Sequence, residues 1–309
     1  MLGLVAAVGV VEAALRARPL ARVGGARTAH GTDHPFHPRQ GLFVLDGEEG
    51  FRPSPTHPEY GEHGALQNPY PLARTPGVPR VLCMGDSVTQ RATIVRGLVE
   101  RRPDVEWWNA GVAGWDTRQQ AAYLERIGPA LAPDLVVVFV HINDFTSTPV
   151  HFVDGAGRLV QFRASAPRLL SQWWYGHSAI YRAWVGVFTP IGSEQEFAAE
   201  VLRALARMNS ECDRRGWKLA VAMLPVFAAP NSLPPTLEAL AQGRRERVLA
   251  WAEQASLPHF DLLPPVAEIA AAGLPVDETP GDVHHPSPAV GDRSAAFLLE
   301  HGLAALWEE

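Results

Sequence analysis

The stretch RVLCMGDSVT, residues 80–89, decides how the rest of the chain is interpreted. Its apolar start is typical of a short buried strand. Gly85, Asp86 and Ser87 come next, and residues 89–101 have the pattern of a helix. A serine between a buried strand and a helix lies at a sheet edge, where the N–H groups of the helix N-terminus favour negative charge. Taken alone, such a tripeptide more often caps a helix than performs catalysis.

The alternation of strand and helix continues along the chain. Leu135 to Val140, LVVVFV, is the clearest further strand, because a β-branched run of this kind is typical of a strand covered on both faces. Further strands are predicted at residues 105–109, 219–224 and 259–262, and further helices at residues 117–127, 194–215 and 236–255. This order predicts an α/β fold of the flavodoxin-like three-layer type, with about five parallel strands and helices on both faces.

Composition excludes some classes of function. With 47% apolar and 19% charged residues, the chain of 309 residues is ordinary for a soluble globular protein. Its net charge of −6 argues against a nucleic-acid partner, because nucleic-acid-binding domains are usually basic. Cys83 and Cys212 lack metal-ligand spacing, and His30, His34 and His37 are interpreted as solvated loop side chains. We therefore predict neither a metal site nor a cofactor.

The chain divides into three parts by composition. Residues 1–28 are an apolar N-terminal segment, residues 29–79 an irregular arm rich in Pro, Gly and His, and residues 80–309 the main domain. The apolar run from Leu2 to Val11 is shorter than the roughly 20 residues that span a membrane. It is interpreted either as the remnant of a membrane anchor or as a short amphipathic helix. The anchor implies membrane association and favours an extracytoplasmic or membrane-anchored location over a cytoplasmic one.

Residues 147–193 interrupt the alternation after the strand at residues 135–140. Ligands of open α/β sheets bind at the carboxyl edge of the strands, where this insertion begins. We interpret it either as a lid or the wall of an acyl pocket, or as ordinary packing on the sheet. It combines a hairpin-like segment at residues 154–157 with an aromatic cluster of Trp173, Trp174, Tyr175, Tyr181, Trp184 and Phe188.

A second stretch that could take part in catalysis is DVHHP, residues 282–286. A carboxylate three residues before a histidine can accept the imidazole N–H in a tight loop, which leaves the other ring nitrogen free to take a serine proton. His285, rather than its neighbour His284, has this spacing from Asp282. Pro286 stiffens the loop directly after it. Alone, the pattern is more typical of a polar surface loop.

Two further patterns follow predicted strands. Asn143 comes just after the strand at residues 135–140 and can donate a hydrogen bond from its side-chain amide. Residues 109–114, NAGVAG, follow the second strand, and their glycines allow close approach and offer N–H donors. Each pattern is also typical of an ordinary turn. Because the carboxyl ends of parallel strands meet at one edge, we expect both patterns to lie near Ser87.

The order and types of these residues resemble the SGNH/GDSL hydrolase family over most of the chain. The four blocks of that family correspond here to residues 85–89, to Gly114, to Asn143 with Asp144, and to residues 282–285. The four blocks in this order are a specific signal, whereas any one of them is not.

The resemblance implies a function for each of these positions. Ser87 would be the nucleophile, His285 the catalytic base and Asp282 the carboxylate that orients it. The oxyanion hole would be formed by the backbone N–H groups of Ser87 and Gly114 and by the side chain of Asn143.

Two departures from the family's pattern concern the surroundings of the serine. His141 lies two residues before Asn143, where glycine is often found, and this changes the shape of the loop rather than the donor. Gln90 follows Thr89 where glycine is also frequent, and it narrows the space beside the nucleophile.

A second serine has a superficially similar setting. Residues 176–178, GHS, begin like the nucleophile elbow Gly-x-Ser-x-Gly, but Ile180 occupies the fifth position and no buried strand precedes Ser178. We therefore reject Ser178 as the nucleophile.

The leading hypothesis is the serine-dependent hydrolysis of a carboxylic ester through an acyl-enzyme. It covers an esterase, an acylhydrolase and a carbohydrate O-deacetylase, with a small-molecule, glycan or lipid ester as partner. The alternatives are an acyltransferase with the same site, a non-catalytic assembly module with the same fold, and a metal-dependent phosphoesterase that uses Asp86, Asp144, Asp282 and the histidines. An intact set of serine, histidine, aspartate and asparagine argues against the module.

Overall fold

The structure is a computed structural model, and it describes residues 2–16, 27–28, 43–46, 50–57, 60–61, 63–65, 69–146, 149–153, 159–163, 172–188, 192–228 and 232–308. These residues belong to two compact units. The sheet unit comprises residues 58–145 and 198–309, and the N-terminal unit comprises residues 1–57 and 146–197.

The strands and helices are numbered in the order in which they occur along the chain. The strands are β1 (Arg27–Thr28), β2 (Phe43–Asp46), β3 (Gly50–Pro53), β4 (Arg80–Gly85), β5 (Glu106–Gly111), β6 (Leu135–Val140), β7 (Pro149–Val153), β8 (Leu159–Arg163), β9 (Lys218–Met223) and β10 (His259–Asp261). The helices are α1 (Leu2–Arg16), α2 (Ser87–Gln90), α3 (Thr93–Arg101), α4 (Thr117–Leu131), α5 (Gln172–His177), α6 (Ala179–Phe188), α7 (Glu194–Arg215), α8 (Pro235–Gln254), α9 (Leu263–Ala271), α10 (Pro288–Glu300) and α11 (Ala305–Glu308).

A five-stranded parallel sheet is the centre of the sheet unit. Its strand order is β10-β9-β6-β4-β5, and each neighbouring pair is parallel. Every residue of β4, β5 and β6 is buried, as the continuous apolar run of β6 predicts. The predicted α/β fold with a parallel sheet is confirmed. Because β4 lies between β5 and β6, the carboxyl ends of these three strands are neighbours.

Helices lie on both faces of this sheet. On one face, a core is formed by alternate strand residues together with residues of α3, α9 and α10; the strand residues include Val81 of β4, Val137 of β6 and Ala220 of β9. Leu82 and Val138 are equally buried on the opposite face. The helices α4 and α8 contact β4 and β9 but contribute no residue to that first core.

Two glycines bring α3 and α10 into close contact. A Cβ atom at Gly97 would lie 2.7 Å from the Cβ of Ala295, and one at Gly291 would lie 2.6 Å from the Cβ of Thr93. Larger residues would therefore push the helices apart. This contact matters for the site, because α3 closely follows Ser87 and α10 closely follows the stretch at residues 282–286.

A buried ion pair fixes the amino edge of the sheet, opposite the candidate site. Arg80 is fully buried and donates from Nε to Glu106 Oε2 at 2.7 Å. Its remaining N–H groups donate to the carbonyl groups of Pro71, Leu72 and Leu131 at 2.8–2.9 Å. A buried charge needs this full set of partners, because breaking such a pair leaves an uncompensated charge.

The helix predicted at residues 89–101 is two helices in the structure. The helix α2 ends after one turn, and Ala92 adopts a left-handed conformation with φ of +60° before α3 begins. The side chains of this segment are all compatible with a helix, so their pattern does not reveal the break. The turn of α2 contacts β5, a tertiary contact that the local pattern does not encode.

The N-terminal unit contains α1, two small antiparallel sheets, and the helices α5 and α6. One sheet has the order β1-β8-β7, and the other is the hairpin of β2 and β3, which falls within the stretch predicted to be irregular. None of the helices in the described part of the chain combines the length and apolar character needed to cross a membrane. The domain boundaries proposed from composition remain predictions.

Glu12 joins α1 to the start of α6. Its carboxylate accepts from the backbone N–H groups of Ala179 and Ile180 at 2.7 and 2.9 Å. Although burial alone would raise the pKa of Glu12, these N–H groups, with Arg16 and Ser178, lower it to about 2. The rejected serine, Ser178, therefore contributes to the cap of a helix and follows a helix rather than a strand.

Candidate active site

The turn that carries Ser87 begins at the carboxyl end of β4. Asp86 is the N-cap of α2, and its Oδ1 accepts from the N–H of Val88 at 2.9 Å. Gly85 allows α2 to fold directly onto the strand, since a Cβ atom there would lie 2.0 Å from Thr89 Oγ1. Because Ser87 is the first residue of α2, its backbone N–H has no acceptor within the helix. Ser87 is also partly exposed.

His285 and Asp282 lie against this turn. His285 Nε2 is 2.9 Å from Ser87 Oγ, and His285 Nδ1 is 2.7 Å from Asp282 Oδ2. The structure thus brings the serine, the histidine and the carboxylate into one hydrogen-bonded chain. With Nδ1–H donated to Asp282, Nε2 is the nitrogen that can accept the serine proton.

The loop around His285 is held by its backbone. The N–H of Glu278 donates to the carbonyl of His285 at 2.9 Å, and Phe227 donates to the carbonyl of Val283 at 3.0 Å. The N–H of His284 donates to Asp282 Oδ1 at 3.1 Å. Although burial alone would raise the pKa of Asp282, its hydrogen bonds to His285 and His284 lower it. Asp282 therefore carries its negative charge beside the imidazole.

The neighbouring His284 is placed differently. Its side chain is exposed, and its ring contacts the ring of His141 edge-on at 5.4 Å between centroids. The structure therefore sets His285, and not His284, beside Ser87, as the spacing from Asp282 predicts.

Gly114 lies at the exposed tip of the loop after β5. Within residues 112–116, four N–H groups have acceptors: Val112 and Trp115 donate to backbone carbonyls, and Ala113 and Asp116 donate to glutamine side chains. The N–H of Gly114 has no such acceptor among the described residues. Its φ of +81° is a left-handed conformation that favours glycine. This N–H is therefore free to bind a substrate oxygen.

Asn143 lies after the end of β6, in a 3₁₀ turn formed by Ile142–Asp144. Its side chain is exposed, and Nδ2 donates one hydrogen bond to Asp86 Oδ2 at 2.5 Å. An amide nitrogen has two N–H donors, so the second remains for a ligand. Ser87, Gly114 and Asn143 thus follow three neighbouring strands at one edge of the sheet.

Buried polar groups support this turn from below. Asp144 Oδ2 accepts from the N–H of His141 at 2.8 Å, and both residues are almost fully buried. Burial and the charge of Asp86 raise the pKa of Asp144 well above its ordinary value. Burial also lowers the pKa of His141 to about 4, so its ring is neutral and stacks on Phe227.

Sequence reasoning did not find three contacts of the site. Asp86 orients Asn143, Gln90 binds the Gly114 loop, and Arg91 forms an ion pair with Glu278 next to Asp282. Gln90 does carry a signal in the sequence, since it departs from the family's pattern. No local pattern marks the other two, because each joins segments far apart in the chain.

One group of side chains could hold a cation. Ligand atoms of Glu278, Asp282 and His285 lie within 4.8 Å of one another. Each has a partner already: Arg91 for Glu278, and the Asp282–His285 bond for the other two. In the part of the chain that the structure describes, Asp86 and Asp144 belong to no such group. His30, His34 and His37 lie outside the described residues.

A cavity of about 390 Å³ lies beside the carboxyl end of β9. Its walls come from Pro225 and Val226 and from α8 and α9, and neither Ser87 nor His285 lines it. Arg245 at its edge is paired with Asp261. We assign the site by the hydrogen-bonded chain at Ser87, because the lining of this cavity contains no serine, cysteine or histidine that could act as a nucleophile or base.

Of the aromatic residues predicted to cluster in the insertion, Trp173, Trp174 and Trp184 are exposed. Rings of Trp173 and Trp174 meet edge-on at 4.9 Å, and Tyr181 stacks on Trp184 at 5.9 Å. The functions considered for the insertion, a lid or pocket wall on one hand and ordinary packing on the other, remain predictions. Its hairpin-like segment at residues 154–157 lies outside the described residues.

Comparison with known proteins identifies relatives. The profile of the GDSL-like lipase/acylhydrolase family matches residues 83–290. No curated protein matches the sequence significantly.

Several solved structures are similar to this chain. A lipolytic protein of the G-D-S-L family from Veillonella parvula is 14% identical, covers 72% of this chain and 97% of its own, and has a TM-score of 0.47. An acetylxylan esterase from Geobacillus stearothermophilus is 19% identical, covers 72% and 94%, and also scores 0.47. An α/β hydrolase from the metagenome of Lake Arreo, Spain, is 18% identical, covers 72% and 95%, and scores 0.49. Similarity at this level gives no information on the substrate.

Proposed function

The chain belongs to the GDSL-like lipase/acylhydrolase family and is a hydrolase of ester bonds, and from this premise we propose a mechanism for it. Ser87 attacks the carbonyl carbon of a carboxylic ester and forms an acyl-enzyme. His285 acts as general base and general acid, and Asp282 orients it. The observation that carries this proposal is the chain of hydrogen bonds from Ser87 Oγ through His285 to Asp282, at 2.9 and 2.7 Å.

The first half of the reaction forms the acyl-enzyme. As Ser87 Oγ bonds to the carbonyl carbon, its proton passes to His285 Nε2, and the carbonyl oxygen becomes an oxyanion. The N–H groups of Ser87 and Gly114 and the side chain of Asn143 donate to that oxygen. His285 then returns the proton to the leaving alcohol oxygen as the carbon–oxygen bond breaks.

The second half releases the acid. Water attacks the acyl carbon and gives a proton to His285, and the proton passes to Ser87 Oγ as the acyl–serine bond breaks. An alcohol in place of water would give acyl transfer by the same steps. The partition between water and alcohol is measured by product analysis with an added acceptor, and the substrate class by nitrophenyl esters of increasing chain length beside acetylated sugars.

Replacement of the nucleophile tests the proposal. Ser87→Ala is expected to lower kcat for a nitrophenyl ester on the order of 10⁶-fold, the typical effect of losing a triad nucleophile. Ser178→Ala is the matched control and is expected to keep the wild-type rate. A serine-directed phosphonate should add one label, at Ser87, and a chelator should leave the rate unchanged. If Ser87→Ala keeps more than about a tenth of the activity, Ser87 is not the nucleophile.

Membrane association through the N-terminus is the second part of this proposal. The helix α1 exposes Val8, Val10 and Val11, which an interfacial helix would bury in lipid. The full chain is expected to float with neutral liposomes, and a chain without residues 1–16 is expected to stay in the soluble fraction. Equal flotation of both chains would contradict an association through α1.

A further inference from the structure

Gln90 lies at the end of the helical turn that begins with Ser87. Its N–H donates to the carbonyl of Asp86 at 3.0 Å, and the N–H of Arg91 donates to the carbonyl of Ser87 at 3.0 Å. These bonds make the turn a short rigid unit. The side chain of Gln90 therefore starts from a point fixed relative to the nucleophile.

The side-chain amide of Gln90 uses both of its ends. Oε1 accepts from the backbone N–H of Ala113 at 2.9 Å, and Nε2 donates to the hydroxyl of Tyr60. The Ala113 N–H needs an acceptor, so the amide oxygen must face it and the orientation of the amide is determined. Gln90 thus joins the Ser87 turn to the Gly114 loop.

Tyr60 gives this link a firm support. Its side chain is 2% exposed. The segment that follows is closed by a bond from the N–H of Gly61 to the carbonyl of Ala65 at 3.0 Å. Tyr123 on α4 donates from its hydroxyl to the carbonyl of His63 in this segment at 2.8 Å. The hydroxyl that accepts from Gln90 is therefore attached to the body of the sheet unit.

The link ends one residue before the free donor. Ala113 is held by Gln90, and Trp115 on the other side of Gly114 is buried against Tyr123 at 5.4 Å between ring centroids. Only the dihedral angles of Ala113 separate its anchored N–H from the N–H of Gly114. Losing the anchor on one side would let the Gly114 peptide rotate away.

We propose that Gln90 is a positioning residue that holds the Gly114 N–H in place for the oxyanion, through Ala113 and with Tyr60 as its support. This inference rests on the proposed function, since it takes Gly114 as an oxyanion donor. A positioned donor acts in the transition state more than in the ground state, so its displacement lowers kcat and leaves KM nearly unchanged. The base of the loop stays attached, because Asn109 Nδ2 still donates to the carbonyl of Thr89 at 2.7 Å.

Two glutamine-to-methionine variants test the proposal, because each of the two glutamines accepts from a backbone N–H of the Gly114 loop. Gln90→Met keeps the length of the side chain and removes the acceptor of Ala113, and it is expected to lower kcat about 10- to 100-fold. Gln119→Met removes the acceptor of the Asp116 N–H, on the far side of Gly114. It is expected to lower Tm and to change kcat less than about threefold.

Two further variants and one inhibitor separate positioning from a structural effect. Gln90→Glu keeps an acceptor for Ala113 and lets Tyr60 donate instead, and it should recover part of the lost rate; Tyr60→Phe should show a smaller loss than Gln90→Met. A boronic acid that forms a tetrahedral adduct with Ser87 should bind to Gln90→Met more weakly by a factor similar to the loss in kcat. KM is expected to stay within about threefold throughout.

The outcomes are distinguishable. If Ser87→Ala is active, the proposed function fails, whatever Gln90 does. If Ser87→Ala is inactive and folded Gln90→Met keeps the wild-type kcat and boronate affinity, the positioning role of Gln90 alone is overturned. A loss in Gln90→Met that is matched by Gln119→Met, with equal falls in Tm, also overturns it, because loop stability would then explain both.

Discussion

The two halves of the proposed site are built in different ways. The acid–base half consists of Asp282 and His285, which come from one loop and are bonded at 2.7 Å. The oxyanion half consists of Ser87, Gly114 and Asn143, which follow three different strands. The first half needs only a short loop to form its internal contact. The second half exists only when β5, β4 and β6 are neighbours in the sheet.

The halves also differ in their electrostatic surroundings. Asp282 is partly exposed, and its partners lower its pKa, as does the nearby charge of Arg91. The oxyanion half rests on Asp86, Asp144 and His141, which are at most 2% exposed. Changes in the acid–base half should therefore act mainly on the rate, with a smaller effect on stability, whereas changes beneath the oxyanion half should alter both.

The largest effect on the rate is expected from removing the base of the acid–base half. His285→Ala is expected to lower kcat on the order of 10⁶-fold, because a triad without its base loses about as much as one without its nucleophile. His284→Ala is the matched control; its side chain is exposed and its backbone N–H to Asp282 is retained, so its kcat should stay within a few-fold of wild type. The measurement is the steady-state kcat of both variants on folded samples. If His284→Ala were inactive and His285→Ala active, His284 would be the base instead of His285.

An intermediate effect is expected in the oxyanion half. Asn143→Ala should lower kcat roughly 10²- to 10³-fold with little change in KM, since removing one preorganised donor mainly affects the transition state. The measurement is kcat and Tm on one sample. If Asn143 only shapes its turn through the bond to Asp86, Tm would fall while turnover per folded molecule stayed near wild type. A folded and fully active variant would remove Asn143 from the oxyanion hole.

The smallest expected effect is a change in the stability of the folded protein with pH, and its sign follows from the pKa of Asp144. Asp144 has a raised pKa, so above the ordinary aspartate pKa the unfolded chain holds fewer protons than the folded one, and stability falls as pH rises to the raised value. Asp144→Asn keeps an acceptor for His141 and lacks this loss. Its Tm should exceed that of wild type by on the order of 2 °C at neutral pH, with the difference vanishing near pH 4.

A carboxylate from the other half provides the comparison for this experiment. The pKa of Asp282 is lowered, so Asp282 contributes stability above the ordinary pKa, and this contribution is lost as pH falls through the lowered value. Asp282→Asn should therefore be less stable than wild type at neutral pH and equal to it in acid. Thermal melts of both variants from pH 3 to pH 8 measure the two signs. If both variants were more stable than wild type at neutral pH, or both less stable, the two carboxylates would not differ in the way that their pKa shifts indicate.

Sequence patterns predicted some elements to the residue and missed others. The bounds of β6 and α7 agree with the prediction, because a continuous β-branched run and a long helical repeat each depend only on neighbouring residues. The break between α2 and α3 was missed; it lies next to the contact of α2 with β5, which joins segments that are separate in the sequence. Gly111 shows how close that contact is: a Cβ atom there would lie 2.3 Å from the backbone nitrogen of Gln90.

The sequence by itself determined the alternation of strands and helices and the family, and it placed Asp282 at a spacing from which it can pair with His285. All three depend on residue types and on short spacings along the chain. Tertiary structure alone decided which three strands are neighbours, and hence that Gly114 and Asn143 lie on either side of Ser87. It also decided the link from Tyr60 through Gln90 to Ala113. These contacts join distant segments, and their distances depend on strand order and register, which no local pattern encodes.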